Sequence, residues 1–397
     1  MAKTERLYYR DCYLKDFEAD VLEVAPAGEK FRVVLDRTAF YPDSGGQPSD
    51  RGTLAGLSVM DVLDDNDGVV HVLESRPRGE RVAGRIDWER RFDHMQQHTG
   101  QHILSAAFEK ITGAKTVSFH LGSEVSTIDV DSDRLGRRQI EDAEDLANRA
   151  VFENREVRIL FRAVSEAQQM DLRKPTERQG EVRLIEIADF DLSACGGTHV
   201  KNTGAVGIIL VRRFERLKGN TRLEFLCGMR ALRTARRDFA LLSEAARLFS
   251  GALENVPTLV AKQSEELKTA QRTNQKLVES LAEYRALELW EAAGGAGERR
   301  VVKQIFEADD HAQAKRVAHS IASRPASVAL IGVKGKPAAL FFAQSSGGPS
   351  DMGAVLKQTV VQVGGRGGGA RDFAQGGGLD ESKLADALQI AEGLVSA

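Results

Sequence analysis

Cysteine is scarce in this chain, with Cys12, Cys195 and Cys227 the only three among 397 residues. Three thiols cannot build a disulfide framework, which excludes a small stapled secreted fold and fits a reducing cytosol. Long hydrophobic runs are absent as well. No apolar stretch approaches the roughly 18 residues that a membrane-spanning helix needs, and the opening Met-Ala-Lys-Thr-Glu-Arg lacks the apolar core of a secretory signal. The expectation is a cytoplasmic protein with no membrane partner. An excess of one charge is missing too, since the formal net charge is -3, so any contact with nucleic acid must come from a local patch. One such patch holds Arg212, Arg213, Arg216, Lys218, Arg222, Arg230, Arg233, Arg236 and Arg237, opposed in sequence only by Glu215 and Glu224. A solvated face and a phosphate-contacting face are both open readings of it.

What is present is material for several cores. The length implies two to four domains, and 42% hydrophobic with 28% charged residues describes globular parts. The expected fold class is α+β multidomain. Residues 1–88 carry short β-branched segments, Phe31–Leu35 and Val69–Leu73, separated by Gly/Pro/Asp punctuation at 42–46 and 64–68, which predicts a small β-barrel with a sandwich as alternative. Residues 89–240 read as an α+β domain whose sheet is mainly antiparallel. Its first helix takes Asp93 as N-cap with Gln96 completing a capping box, and stops near Gly113. A second helix is expected over 140–153, strands over 157–161, 182–187 and 207–214, and helix over 221–251. Residues 241–297 form a long helical linker. Its seam of Val260, Leu267, Ala270, Leu277, Leu281 and Tyr284, interrupted at Gln263 and Asn274, suggests a coiled coil without proving pairing. The linker ends at the glycine-rich stretch 294–297. Residues 298–397 look α/β, with strands over 328–333 and 338–342, a helix over 312–323 and a glycine-dense tail over 363–378.

Two pairs of side chains carry the chemistry. His98 and His102 lie four apart on a predicted helix, so both imidazoles project from one face. Zinc is often gripped this way. Cys195 and His199 form the second pair in Cys195-Gly-Gly-Thr-His199, whose glycines permit a tight fold. Each pair alone is weak, and a satisfied core histidine beside an inert thiol explains either. Together they make a His3Cys set. Four protein ligands usually close a zinc site, whereas a catalytic zinc keeps a vacant position, so whether the ion is catalytic or orients a substrate stays open.

At these residues the chain resembles the editing region of alanyl-tRNA synthetase and its free-standing relatives, the AlaX proteins. The resemblance is carried in order by Phe40-Tyr-Pro-Asp-Ser-Gly-Gly-Gln47, His98-Thr-Gly-Gln-His102, Cys195-Gly-Gly-Thr-His-Val200 and the tail from Gly364 to Gly378, with Thr203-Gly-Ala-Val-Gly207 and Arg222-Leu-Glu224 adding to it. It spans nearly the whole chain. It implies one zinc per chain held by His98, His102, Cys195 and His199, and a place in the editing pocket for Gln47. Thr99 and Ser44 are hydroxyls expected to read a serine side chain, with backbone roles as the alternative. The tail resembles the DHHA1 domain, which implies tRNA contact by Arg366 and Arg371 with Gly364, Gly365, Gly367 and Gly368 letting backbone approach phosphate. Without the resemblance the tail reads equally well as a flexible loop.

The chain opens directly on the β-rich part where the synthetase has an aminoacylation domain, and His-Thr-Gly-Gln-His replaces the synthetase's usual His-Thr-Ala-Thr-His. Both features lean toward a stand-alone editor of the long AlaX type, a synthetase fragment being the alternative. The Asp-His-His signature of DHH phosphoesterases is missing. The implied activity is ATP-independent hydrolysis of mischarged Ser-tRNA(Ala), with Gly-tRNA(Ala) as a second substrate and tRNA(Ala) as partner. A homodimer through the helical linker and C-terminal domain is a further expectation. Rival readings are a non-catalytic RNA-binding module with a closed structural zinc, and an assembly protein.

Overall fold

Alternation of buried and exposed residues along short β-branched segments builds the first part of the chain. In the computed structural model, which describes residues 4–65, 68–175, 180–294 and 299–396, these segments are β1 (Glu5–Arg6), β2 (Asp16–Ala27), β3 (Lys30–Leu35), β4 (Arg37–Thr38), β5 (Gly52–Leu54), β6 (Leu57–Asp65), β7 (Gly68–Leu73) and β8 (Arg81–Ile86). Six of them pair in a closed cycle in the order β2, β3, β7, β6, β5, β8. Val33, Leu35, Leu54, Val62, Val69 and Leu73 fill its interior. The turn expected over 64–68 falls partly on 66–67, outside the described residues. The chain divides into two compact units, Met1–Glu244 and Ala245–Ala397.

The rest of the first unit packs around α1 (Trp88–Thr112). This helix is buried on every face from His94 to Phe108, as expected of a helix enclosed by its own domain. Gly113 ends it in the left-handed conformation, φ 74°. Its start differs from expectation. Asp87, not Asp93, is the N-cap, accepting a hydrogen bond from the Arg90 backbone N–H at 3.2 Å, and Asp93 sits in the second turn, where its carboxylate accepts from Arg230 Nε at 2.8 Å. Asp-x-x-Gln at 93–96 imitates a cap, but an earlier cap had already begun the helix.

After α1 come β9 (Thr116–Leu121), β10 (Ser126–Val130), α2 (Arg137–Phe152), β11 (Val157–Ala163), α3 (Val164–Ala167), β12 (Glu181–Ile187), β13 (Asp191–Ala194), β14 (Ile209–Arg216), β15 (Thr221–Cys227) and α4 (Gly228–Leu248). They form two antiparallel sheets, β14-β15-β10-β9 and β11-β12-β13. The helix expected from Thr221 therefore begins only at Gly228. Residues 221–227 bury mainly their alternate side chains and pair with β14 and β10, a strand period that their Leu and Glu content disguised.

The second unit contains α5 (Val256–Ala292), β16 (Arg300–Phe306), α6 (His311–Ala322), β17 (Ser327–Val333), β18 (Ala338–Gln344), α7 (Met352–Val363), β19 (Arg366–Gly369), β20 (Phe373–Leu379) and α8 (Leu384–Ser396). One sheet runs β16-β17-β18-β20-β19, with only β16 and β17 parallel. The glycine-rich tail is the hairpin β19–β20 rather than a loop. A Cβ at Gly367 would stand 2.6 Å from Gly376 Cα and 2.9 Å from Leu356 Cδ2, so close packing against α7 explains glycine there. On α5, Ala282 and Ala286 join the core while Val260, Leu267, Leu277, Leu281 and Tyr284 are exposed. Of the 294–297 linker, residues 295–297 lie outside the described residues.

Two buried polar groups tie the first unit together. Arg91, fully buried, donates to Asp50 through Nε at 3.0 Å, to Cys12 O at 2.9 Å and to Ala39 O at 2.5 Å. It thereby pins the 41–52 loop to α1. Arg91→Met should destabilise the fold by ~3–5 kcal/mol because it strands a buried carboxylate, and adding Asp50→Leu should recover part of that loss in guanidinium titrations. Inside the ring, His71 Nδ1 lies 3.1 Å from Val33 O and Nε2 lies 2.8 Å from Thr38 Oγ1. Burial pushes its pKa down from 6.5 to about 4. Below pH 6.5 the unfolded chain takes up a proton that the folded ring refuses, so stability falls as pH drops toward 4, by about 3 kcal/mol from this residue. Unfolding free energies measured across that range should fall less steeply in His71→Asn.

Candidate metal centre

The i, i+4 spacing on α1 turns His98 and His102 to one side, and the Cys195–His199 segment after β13 meets them there. Ligand atoms from all four residues lie within 4.8 Å of one another. His98 Nε2 and His199 Nε2 are each 3.3 Å from Cys195 Sγ. A tetrahedral zinc with Zn–N near 2.0–2.1 Å and Zn–S near 2.3 Å spaces its donors by roughly 3.3–3.6 Å. The cluster fits such an ion with little adjustment.

The outer nitrogens give a second test of fit. His98 Nδ1 lies 2.7 Å from Gln47 Oε1, His102 Nδ1 3.1 Å from Asp191 Oδ2, and His199 Nδ1 3.2 Å from Thr99 Oγ1. An Nδ1–H donating to each oxygen leaves Nε2 as the free lone pair, the tautomer a ligand requires. Gln47 is itself fixed, since its Oε1 accepts from the Thr198 N–H at 3.2 Å and its Nε2 donates to Thr198 Oγ1 at 2.9 Å. Gln47 and Thr99 are fully buried, so both lie behind the imidazoles. Ser44 makes the turn with Gln47 through its backbone.

Charge favours a thiolate. Burial would raise the Cys195 pKa, but His98 and His199 outweigh it and hold it well below the usual thiol value. Burial likewise works against charge on His102, yet Asp191 and Cys195 push its pKa up to about 9, while burial holds His199 down to about 3. Three imidazoles around one thiolate form a donor set of a kind that zinc takes.

Several supporting residues were not foreseen. Asp191 opens β13, four residues before Cys195 just past the strand's end, an even spacing that could have exposed it. It also accepts from Arg173 Nε at 2.7 Å. Arg183, 4% exposed, donates to the Cys195 carbonyl at 2.7 Å and to Tyr9 O at 3.0 Å, and no local pattern marks it. The glycines between the ligands are steric. A Cβ at Gly197 would collide with His98 Cε1, and one at Gly100 with Cys227 Sγ on β15.

The basic patch is less free than its sequence suggests. Arg212 pairs with Asp238, Arg222 with Asp129, Arg230 with Asp93 and Arg233 with Glu89. Arg213 has no ion pair among the described residues. In the second unit Arg366 is exposed, Arg371 donates to the Gly348 and Pro349 carbonyls at 3.3 and 3.4 Å, Gly364 caps α7 at φ 84°, and Gly365 follows with its N–H on Val360 O.

Three family models match: tRNA synthetases class II (A) over residues 3–90, the threonyl and alanyl tRNA synthetase second additional domain over 182–224, and the DHHA1 domain over 299–397. The chain is 33% identical over 391 residues to the alanyl-tRNA editing protein AlaX-L of Pyrococcus horikoshii, covering 94% of each. It is also 33% identical over 410 residues to the alanine–tRNA ligase of Pyrococcus abyssi and 36% over 416 residues to that of Halobacterium salinarum. It covers only 43% and 44% of those two ligases. A match of this identity along nearly the full length of the Pyrococcus horikoshii protein places the chain in the family of alanyl-tRNA editing proteins of the AlaX-L kind.

Proposed function

We propose that the chain hydrolyses the ester of Ser-tRNA(Ala), with Gly-tRNA(Ala) as a second substrate, at one zinc held by His98, His102, Cys195 and His199. The observation that carries this reading is the cluster itself, three imidazoles with tied outer nitrogens converging on one thiolate. When bound, zinc supplies a Lewis acid that can polarise an ester carbonyl or hold an amino group. The protein's own residues do the rest. Gln47 and Asp191 set the tautomers of His98 and His102, Thr99 locks the His199 ring, and Arg183 and Gly197 place the sulfur. Phe119, its ring centroid 5.2 Å from that of His98, walls the cluster with apolar surface and limits water.

The chemistry of the problem supports the substrate choice. A pocket for alanine admits glycine, and it rejects serine's added hydroxyl by only ~10²-fold, whereas a second site that hydrogen-bonds that hydroxyl discriminates far more strongly against alanine. In this reading Gln47 and Thr99 act through His98 and His199, and Ser44 is the hydroxyl left to read serine. Arg212, Arg213, Arg366 and Arg371 contact tRNA phosphate, the first sharing its charge with Asp238, with backbone at Gly364, Gly365, Gly367 and Gly368 approaching the RNA. We read the six-stranded ring as a small barrel and the working parts as 1–88, 89–240, 241–297 and 298–397, acting in the cytoplasm without ATP. The exposed apolar side chains of α5 pair between two copies, so light scattering should return twice the chain mass.

Purified protein should contain one zinc per chain and release serine from Ser-tRNA(Ala) while sparing Ala-tRNA(Ala). Cys195→Ala and Gly197→Ala should each lose the metal and at least a hundredfold in deacylation rate. Full zinc occupancy with tight tRNA binding and no deacylation would instead establish a closed structural zinc. Activity persisting in metal-free Cys195→Ala would remove the metal from the reaction.

A further inference from the structure

One turn before His98 on α1, a cavity of about 850 Å³ lies beside the metal centre without being part of it. Four arginines line it, Arg51, Arg90, Arg230 and Arg233, together with His94. Its acidic residues are largely spent. Asp93 accepts from Arg230 Nε at 2.8 and 2.9 Å, Glu89 from Arg233 at 3.3 Å, and Asp87 caps the helix through the Arg90 N–H. Arg51 and Arg90 are left over. Arg90 Nε donates only to the Ser49 carbonyl at 3.1 Å, and neither guanidinium has a carboxylate partner among the described residues.

Two independent features point to an anion. The cavity includes the first turn of the 25-residue α1, whose backbone N–H groups and dipole favour negative charge. His94, only 2% exposed, has an Nδ1 with no hydrogen-bond partner, an omission that native folds rarely tolerate unless a ligand or water completes it. Burial, and after it the neighbouring Arg51, pushes Arg90 below the usual guanidinium pKa against the opposing pull of Asp50 and Asp87. Pro48 lines the same cavity and directly follows Gln47, the partner of His98. From His94 to His98 is one helical turn, about 6 Å.

We propose that this cavity is a phosphate subsite, in which Arg51 and Arg90 grip a backbone phosphate of the RNA whose aminoacylated end reaches the metal centre. The assignment rests on the function proposed above. The subsite fixes the strand one turn from the reacting ester, so it sets the register of the RNA end rather than its sequence.

The test compares wild type with Arg51→Ala and Arg51→Lys, using Ser-tRNA(Ala) as substrate and uncharged tRNA(Ala) as ligand. Arg51→Ala should bind wild-type zinc yet raise KM five- to tenfold. Its log–log salt slope for tRNA binding should shrink by about 0.7–0.9, the value of one lost phosphate contact, and Arg51→Lys should restore most of that slope. A KM within twofold of wild type and an unchanged slope would overturn the proposal. Inorganic phosphate serves as the second probe. Phosphate inhibition that Arg51→Ala abolishes while KM for tRNA stays fixed would show a site for free phosphate and overturn the RNA assignment. Wild-type protein that deacylates nothing would sink the functional reading alone, because the salt slope of tRNA binding still reports on the cavity.

Discussion

One electrostatic constraint organises the centre of the first unit: a thiolate and three imidazoles stand with their ligand atoms within 4.8 Å of one another, so the charge on the sulfur must be balanced there, by the imidazoles or by a bound cation. Sulfur and ring nitrogens stand at or near ligand spacing, with Nδ1 of His98 and His102 facing acceptor-only oxygens and Nδ1 of His199 facing the Thr99 hydroxyl. Removing four polar groups from water without a partner would be expensive. A divalent ion would turn the same enclosure into a stable site, because ligand deprotonation and ion binding would become one event.

Satisfying that constraint requires parts from distant sequence. Gln47 comes from the loop after the first strands, the two histidines from α1, Asp191 from β13 and Cys195 with His199 from the turn beyond it. The buried Arg91–Asp50 pair holds loop and helix in register. Gly100 lets Cys227 approach the helix between the histidines, and Gly197 leaves room for the His98 ring. Arg183 places positive charge behind the Cys195 carbonyl and has no carboxylate partner among the described residues. Each of these residues acts on the donors by fixing where they stand.

The ligand pairs were legible in the sequence because their information is local. A helix period places His98 over His102, and two glycines announce a tight turn between Cys195 and His199. Arg183 and Arg173 were not legible, since their partners are remote in the chain and their own neighbourhoods are ordinary, and Asp191 carried only its even spacing from Cys195. Local cues also misled. Asp93 and Gln96 copy a helix cap inside a helix that Asp87 had started. Residues 221–227 look helical by composition but bury alternate side chains against β14 and β10. The arginine-rich stretch is opposed in space by Glu89, Asp93 and Asp129, which are remote in sequence, and by Asp238 directly after it. The tail's glycines, which suggest a loose loop, follow from a hairpin pressed against α7.

The same logic separates the ends of the site. On one side the imidazoles are held by oxygens at their outer nitrogens. One turn away on α1 the charges are cationic and only partly matched, which suits an anionic strand. X-ray absorption at the zinc edge of the intact, zinc-loaded protein tests the central claim most directly. The account expects a single sulfur near 2.3 Å and three nitrogens near 2.0–2.1 Å; a shell of oxygen and nitrogen without sulfur, or zinc bound below one equivalent, would contradict it.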